Sequence, residues 1–371
     1  MKPQELWNTL HAAGFTRQAE MPAVAPRAPW YMEAMLFIAL WTGAAFVVIA
    51  FVAFAEDSPA AYLFFGLPLS ALACWLFRAY PAHFFLGQLA HAVSLCGAGL
   101  ILFALFEEVR GYEAQLYLSL ALALLVFCAM NNFVQRLVAV SAALFVVTAL
   151  CHYYWKDARF LWLEWLYAGC VFAFVLVWQR EMQTLRYPRS QIWRSVGYAL
   201  ALFLLVAMNF SLMLASNSGW IDSRGITEAT RESALVMLAL RVLSGLTLFW
   251  FAAWLLRREK LSFSRRPALI LLGLALGVAL LGMKMPGIAV ALLILVTGFA
   301  ANAPVLLGIG VVMLLNVFAQ YYYWLEVSLL YKSLYLLLTG GVLLACRLAL
   351  RWRETGDRKQ ETDTREENGD E

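Results

Sequence analysis

Charge is scarce in this sequence: of 371 residues only 14% are Asp, Glu, Lys or Arg, and only 4 are histidine. Ordinary soluble domains carry roughly 25% charged residues, so a globular protein with a fully water-facing surface is excluded. Catalytic and ligand-binding patterns are missing as well. There is no CxxC, GxSxG, HExxH, P-loop, GxGxxG or paired-Asp motif, so neither a catalytic centre nor a cofactor or metal site is read from pattern. Cys74, Cys96, Cys128, Cys151, Cys170 and Cys346 all fall in apolar runs. They read as small buried hydrophobes rather than a disulfide framework or zinc site. No basic cluster is joined to a soluble domain, which excludes nucleic acid as a partner. Segments of about 10 residues with alternating hydrophobicity, the mark of an outer-membrane barrel, do not occur. The first 30 residues contain Glu5, Glu20 and prolines but no compact apolar stretch. They read as a retained segment, not a cleavable signal.

What remains is grease: 63% of the chain is hydrophobic, in repeated runs long enough to cross a hydrocarbon layer about 30 Å thick. The fold class read from this is all-α, polytopic and integral to the membrane, with the lipid bilayer as its surroundings. Charges, Pro, Asn and Gly divide the runs into twelve candidate spans: 31–55, 60–79, 84–106, 113–130, 133–154, 160–179, 192–215, 233–256, 268–284, 286–302, 303–323 and 327–350. Alternating them from a cytoplasmic N-terminus puts 20 of the 28 Lys and Arg inside and 6 outside, with Arg241 and Lys332 within spans. Such a bias fits the positive-inside rule and predicts that both termini face the cytoplasm. The organisation is then a cytoplasmic segment over 1–30, a membrane domain over 31–350 and a charged tail over 351–371. The tail, with almost no apolar residues, reads as disordered.

Smaller features refine the outline. Leu6, Trp7 and Leu10 share one face of a short amphipathic stretch, suited to a membrane surface, a partner or the protein's own cytoplasmic face. His152-Tyr153-Tyr154-Trp155 and Tyr321-Tyr322-Tyr323-Trp324 close spans five and eleven. They read as interfacial anchors, ahead of a sugar- or lipid-binding shelf. Spans nine and ten are short and joined by Lys284-Met285-Pro286-Gly287. The plain expectation is a tight hairpin; the alternative is a re-entrant pair. Gly273 and Gly277 form a GxxxG step that predicts close approach of another helix. Six spans, a basic loop around Arg180–Arg194 and six more echo the outline of twelve-helix transporters, an analogy of layout only.

Ionisable groups inside a bilayer cost roughly 2.5–3.5 kcal/mol on insertion scales, so they are the default functional candidates. Arg241 lies well inside span eight, and Glu107, Glu108, Glu164 and Asn209 are its candidate partners. Lys332 sits near the start of span twelve, with Glu326 just outside. A structural ion pair or snorkelling is the plain reading of both cations; the sharper one is a substrate or anion site. Gln88 and His91 share a face of span three at i, i+3, and Asn316 and Gln320 a face of span eleven at i, i+4. Amides so placed read first as hydrogen-bonding glue between helices, and His91 as a satisfied core residue before a proton relay. The carboxylates Glu107, Glu108, Glu113, Asp157, Glu164, Asp222, Glu228 and Glu232 form a scattered outer rim.

The C-terminal third carries the most specific pattern. Pro286-Gly287-Ile288-Ala289, Gly298-Phe299-Ala300, Gln320-Tyr321-Tyr322-Tyr323-x-Leu325-Glu326-x3-Leu330-x-Lys332-Ser333-Leu334 and Gly340-Gly341-x-Leu343-Leu344-x2-Arg347 resemble the bacterial domain of unknown function 4401 family. Upstream, Pro29-Trp30-Tyr31 leading to Trp41 resembles that family's first span, and Gln88-Leu89-Ala90-x3-Ser94-Leu95 a segment shared with a sister family. The chain departs from the family after Gly-Phe-Ala, where a Gly and a basic residue are usual and Ala301-Asn302-Ala303-Pro304 stands instead. The resemblance implies a multi-pass protein of the bacterial inner membrane, often accompanied by a small membrane-anchored protein with a GDYxxLxY motif. It supplies no activity, but it draws attention to Tyr323, Glu326 and Lys332. Three functions stay open: a scaffold or assembly partner in an envelope complex, first; a transporter or flippase around Arg241, Lys332 and the span nine–ten hairpin, second; an intramembrane transferase, third. The lack of catalytic motifs leans against an enzyme.

Overall fold

The computed structural model describes residues 30–54, 58–80, 84–130, 132–155, 161–184, 190–217, 228–258, 266–284 and 286–324, with single positions at 7, 9, 12 and 337. Among the described residues all regular structure is helical, in chain order α1 (Trp30–Phe54), α2 (Pro59–Ala79), α3 (Phe84–Glu108), α4 (Tyr112–Ala129), α5 (Phe133–Tyr154), α6 (Leu161–Thr184), α7 (Ser190–Asn217), α8 (Glu228–Arg258), α9 (Arg266–Lys284), α10 (Pro286–Ala300) and α11 (Pro304–Trp324). They follow the first eleven predicted spans one for one. Apart from those single positions, the twelfth span and the N-terminal amphipathic stretch lie outside the described residues, as do the charged tail, Glu326 and Lys332. Seven helices, α1 to α7, are long and apolar enough to cross a membrane, and Gly287–Ala300 and Pro304–Gln320 are shorter apolar segments. The described residues are therefore all-helical, and the chain is of polytopic membrane character.

Local chemistry sets several of the ends. Ser58 caps α2, its Oγ accepting from Ala61 N at 3.4 Å, and Pro59 follows at the first helical position, where its missing N–H costs nothing. Between α3 and α4 the Gln115 amide donates to Phe106 O and Val109 O, each at 3.0 Å. Gly111 turns the chain there at φ +115°, a value open to glycine. Between α10 and α11 Asn302 sits at φ +51°, and Ala303 N reaches back to Gly298 O at 2.9 Å. Asn tolerates this left-handed region better than most residues.

The helices gather into two compact units that divide between Tyr154 and Trp155. The division follows the fifth helix, not the sixth as the six-plus-six layout suggested. In the first unit α2 and α3 meet backbone to backbone: a methyl group at Gly97 would stand 2.7 Å from Ser70 N and 2.9 Å from Gly66 O. Tyr62, Leu100 and Ala104 are buried together beside this seam, and Ala44 of α1 is buried with Ala92 and Cys96. In the second unit Phe174, Trp178, Leu204, Phe251 and Ile294 are among the most completely buried large side chains. Here α10 and α11 close on each other, a methyl at Gly298 falling 2.6 Å from Leu307 N and one at Gly310 falling 2.8 Å from Leu295 Cα. The predicted GxxxG step does not act this way. Nothing among the described residues comes within 4 Å of where a Cβ at Gly273 or Gly277 would lie. α9 is approached instead at Ala279, whose Cβ lies 3.2 Å from the position a methyl on Gly245 would take. Large apolar side chains such as Phe46, Ile49, Phe299 and Leu315 stay exposed, as lipid-facing residues do.

Candidate functional site

Polar side chains within the apolar helices are the places where chemistry or specificity would reside. In the first unit His91 of α3 is only 3% exposed and Gln135 of α5 only 2%. Their Nδ1 and Oε1 are 3.2 Å apart. An amide oxygen only accepts, so the histidine donates and its Nδ1 carries the proton. Gln135 Nε2 in turn donates to Ser94 Oγ at 2.7 Å, and the Phe77 ring lies edge-on to the imidazole at 4.8 Å. His91 is thus a satisfied interior residue, as its lone position suggested. Gln88, predicted to work with it, is not brought in: its Oε1 is buried without a hydrogen-bond partner among the described residues. Gln135, the centre of the network, was missed because it sits two residues inside a span's start, where an amide looks like a loop residue.

In the second unit Asn316 and Gln320 of α11 do act together, and their target is Asn209 of α7. Asn209 Oδ1 accepts from Asn316 Nδ2 at 2.8 Å and from Gln320 Nε2 at 2.6 Å. Its own amide nitrogen donates to Leu205 O at 2.7 Å. Asn209 is therefore engaged by two amides, and of the other candidates Glu164 of α6 lies within electrostatic reach of half-buried Arg241 of α8. One turn from Glu164 the Tyr167 hydroxyl is buried without a hydrogen-bond partner among the described residues. Tyr323 lies in the last turn of α11, its side chain outside the described set.

An ion pair between α6 and α7 was not anticipated. Glu181 of α6 is 1% exposed, and Arg194 Nε of α7 donates to its Oε1 at 2.5 Å. Nearby the Trp178 indole lies flat enough against α7 that a methyl on Gly197 would stand 2.6 Å from its Nε1. Both charges sit at span edges, where charge is ordinary; only packing buries the carboxylate. At the other end of the α4–α5 pair, Tyr154 donates to Glu113, and its hydroxyl is 3.1 Å from that of Tyr117. Tyr112 and Tyr153 lie beside them with centroids 5.9 Å apart. These rings are 41–54% exposed, in keeping with an interfacial anchor. Among the described residues no group of three His, Cys, Asp or Glu is placed to hold a metal.

A family model described as Domain of unknown function (DUF4401) matches residues 29–353, most of the chain. No curated protein and no solved structure matches it.

Proposed function

The chain belongs to the family of the Domain of unknown function (DUF4401), and on that premise we propose that it is a scaffold or assembly partner in a complex of the bacterial inner membrane. Its topology in this reading is about twelve spans with both termini cytoplasmic. One observation carries the proposal. Interior polar side chains bond one another across helix seams, in His91–Gln135–Ser94 and Asn209–Asn316–Gln320. Such bonds hold a bundle in one arrangement, which a platform for other proteins requires. The companion that the family resemblance implies is the small membrane-anchored protein with the GDYxxLxY motif.

Crosslinking in membranes followed by capture of the full chain is the test. Recovery of that small protein at near-stoichiometric yield is the expected outcome, and its consistent absence alongside solute flux in reconstituted vesicles would overturn it. A second reading, a transporter or flippase, draws on Arg241 and on Glu164 within its electrostatic reach, because charges within apolar helices often mark substrate or ion paths. Under that reading Arg241→Ala abolishes flux from folded protein; under the scaffold reading it lowers folded yield and leaves no flux to lose.

A further inference from the structure

One end of the α6–α7–α8 group concentrates guanidinium groups. Arg180 stands near the end of α6, Arg194 near the start of α7, and Arg257 and Arg258 close α8. Two of them converge on consecutive residues of α6. Arg194 Nε bonds Glu181 at 2.5 Å, and Arg258 Nη1 lies 2.9 Å from Met182 Sδ. They arrive from two different helices, α7 and α8, and meet residues that are consecutive in α6, with Cα atoms about 3.8 Å apart.

Their partners are unequal. Glu181 offsets the charge of Arg194, whose side chain remains 47% exposed. Arg258 meets a thioether, a weak acceptor without charge, and its Cζ stands 5.8 Å over the Trp254 ring. Of the two, Arg258 is the one whose bonded side-chain partner carries no charge. Nε of Arg194 and one Nη of Arg258 are occupied, which leaves further N–H donors on both planar forks. Such forks match phosphate oxygens two at a time, and basic pockets between spans on the cytoplasmic side take up anionic lipid headgroups. The chain ends its apolar windows here, with Gln183 closing the α6 segment, at the level where headgroups lie.

From this we propose that the Arg194–Arg258 clasp on α6 is a binding site for the phosphate of an anionic phospholipid headgroup. The site does not depend on whether the protein is a scaffold or a transporter. Glu181 fixes the Arg194 fork, and Trp254 supports Arg258.

The experiment uses the full chain purified in a neutral detergent, with native mass spectrometry reading retention of phosphatidylglycerol against phosphatidylcholine. Wild type should retain the anionic lipid at least tenfold better. Arg258→Gln, which leaves the Glu181–Arg194 bond in place, should cut that preference at least fivefold. Arg78→Gln, at the end of α2 in the other unit, should leave it unchanged. If Arg258→Gln does not fold, the paired variant Glu181→Gln/Arg194→Gln, which strands no buried charge, must show the same loss. Inorganic phosphate at millimolar concentration should displace little of the lipid; complete displacement would make free phosphate the ligand and overturn the headgroup assignment. Equal retention of both lipids by wild type, or equal losses in Arg258→Gln and Arg78→Gln, would reduce the site to general surface charge.

Discussion

At the scale of single residues, Gln135 and Gln88 of the first unit make a controlled pair. Gln135 holds both His91 and Ser94, whereas the Gln88 oxygen has no hydrogen-bond partner among the described residues. Interhelical hydrogen bonds in membrane proteins average about 0.6 kcal/mol and reach about 1.7. Gln135→Leu removes two of them and strands their partners, so a loss of about 1–2 kcal/mol is expected. Gln88→Leu relieves a buried acceptor and should be neutral or stabilising. Denaturation of each variant in mixed micelles reads the difference; equal losses would refute it. The same contrast shows what was legible. His91, Asn316 and Gln320 were conspicuous because amides and imidazoles are rare in apolar runs. Their partners Gln135 and Asn209 depend on which helix lies across the seam, and a sequence pattern does not carry that. Glu164 was legible only as one of four candidates for Arg241, and Glu181 not at all, since its burial is made by neighbours.

At the scale of helices, run length and punctuation located α1 to α11 almost entirely, because a span must be long, apolar and closed by polar groups. Glycine spacing was a poorer guide. Gly273 and Gly277 have the expected step and meet nothing among the described residues, while Gly66, Gly97, Gly298 and Gly310 close the seams. A small residue permits approach; it does not choose the partner. The α10–α11 turn offers a sharper test. Asn302 at φ +51° occupies a region that costs a side-chain-bearing residue roughly 1–2 kcal/mol, and β-branched residues most. Asn302→Gly should therefore match or exceed wild-type thermal stability in detergent. Asn302→Val should lower it by about 1–2 kcal/mol. Indistinguishable melting of the two variants would show that the turn sets no constraint.

At the scale of the whole molecule, the arginine bias predicts a cytoplasmic location for both ends of the chain. Reporter fusions at residue 1 and residue 371 should both be active only as cytoplasmic partners, and a split result would remove one span from the count. The break after the fifth helix was not legible, because segments of similar grease do not announce how they group. α10 leads somewhere else again. Its 15 residues rise about 22 Å at 1.5 Å each, several ångströms less than the fatty layer they lie in. A span of that length would match only a thinned layer, so folded yield compared across vesicles of different acyl-chain length tests whether α10 crosses.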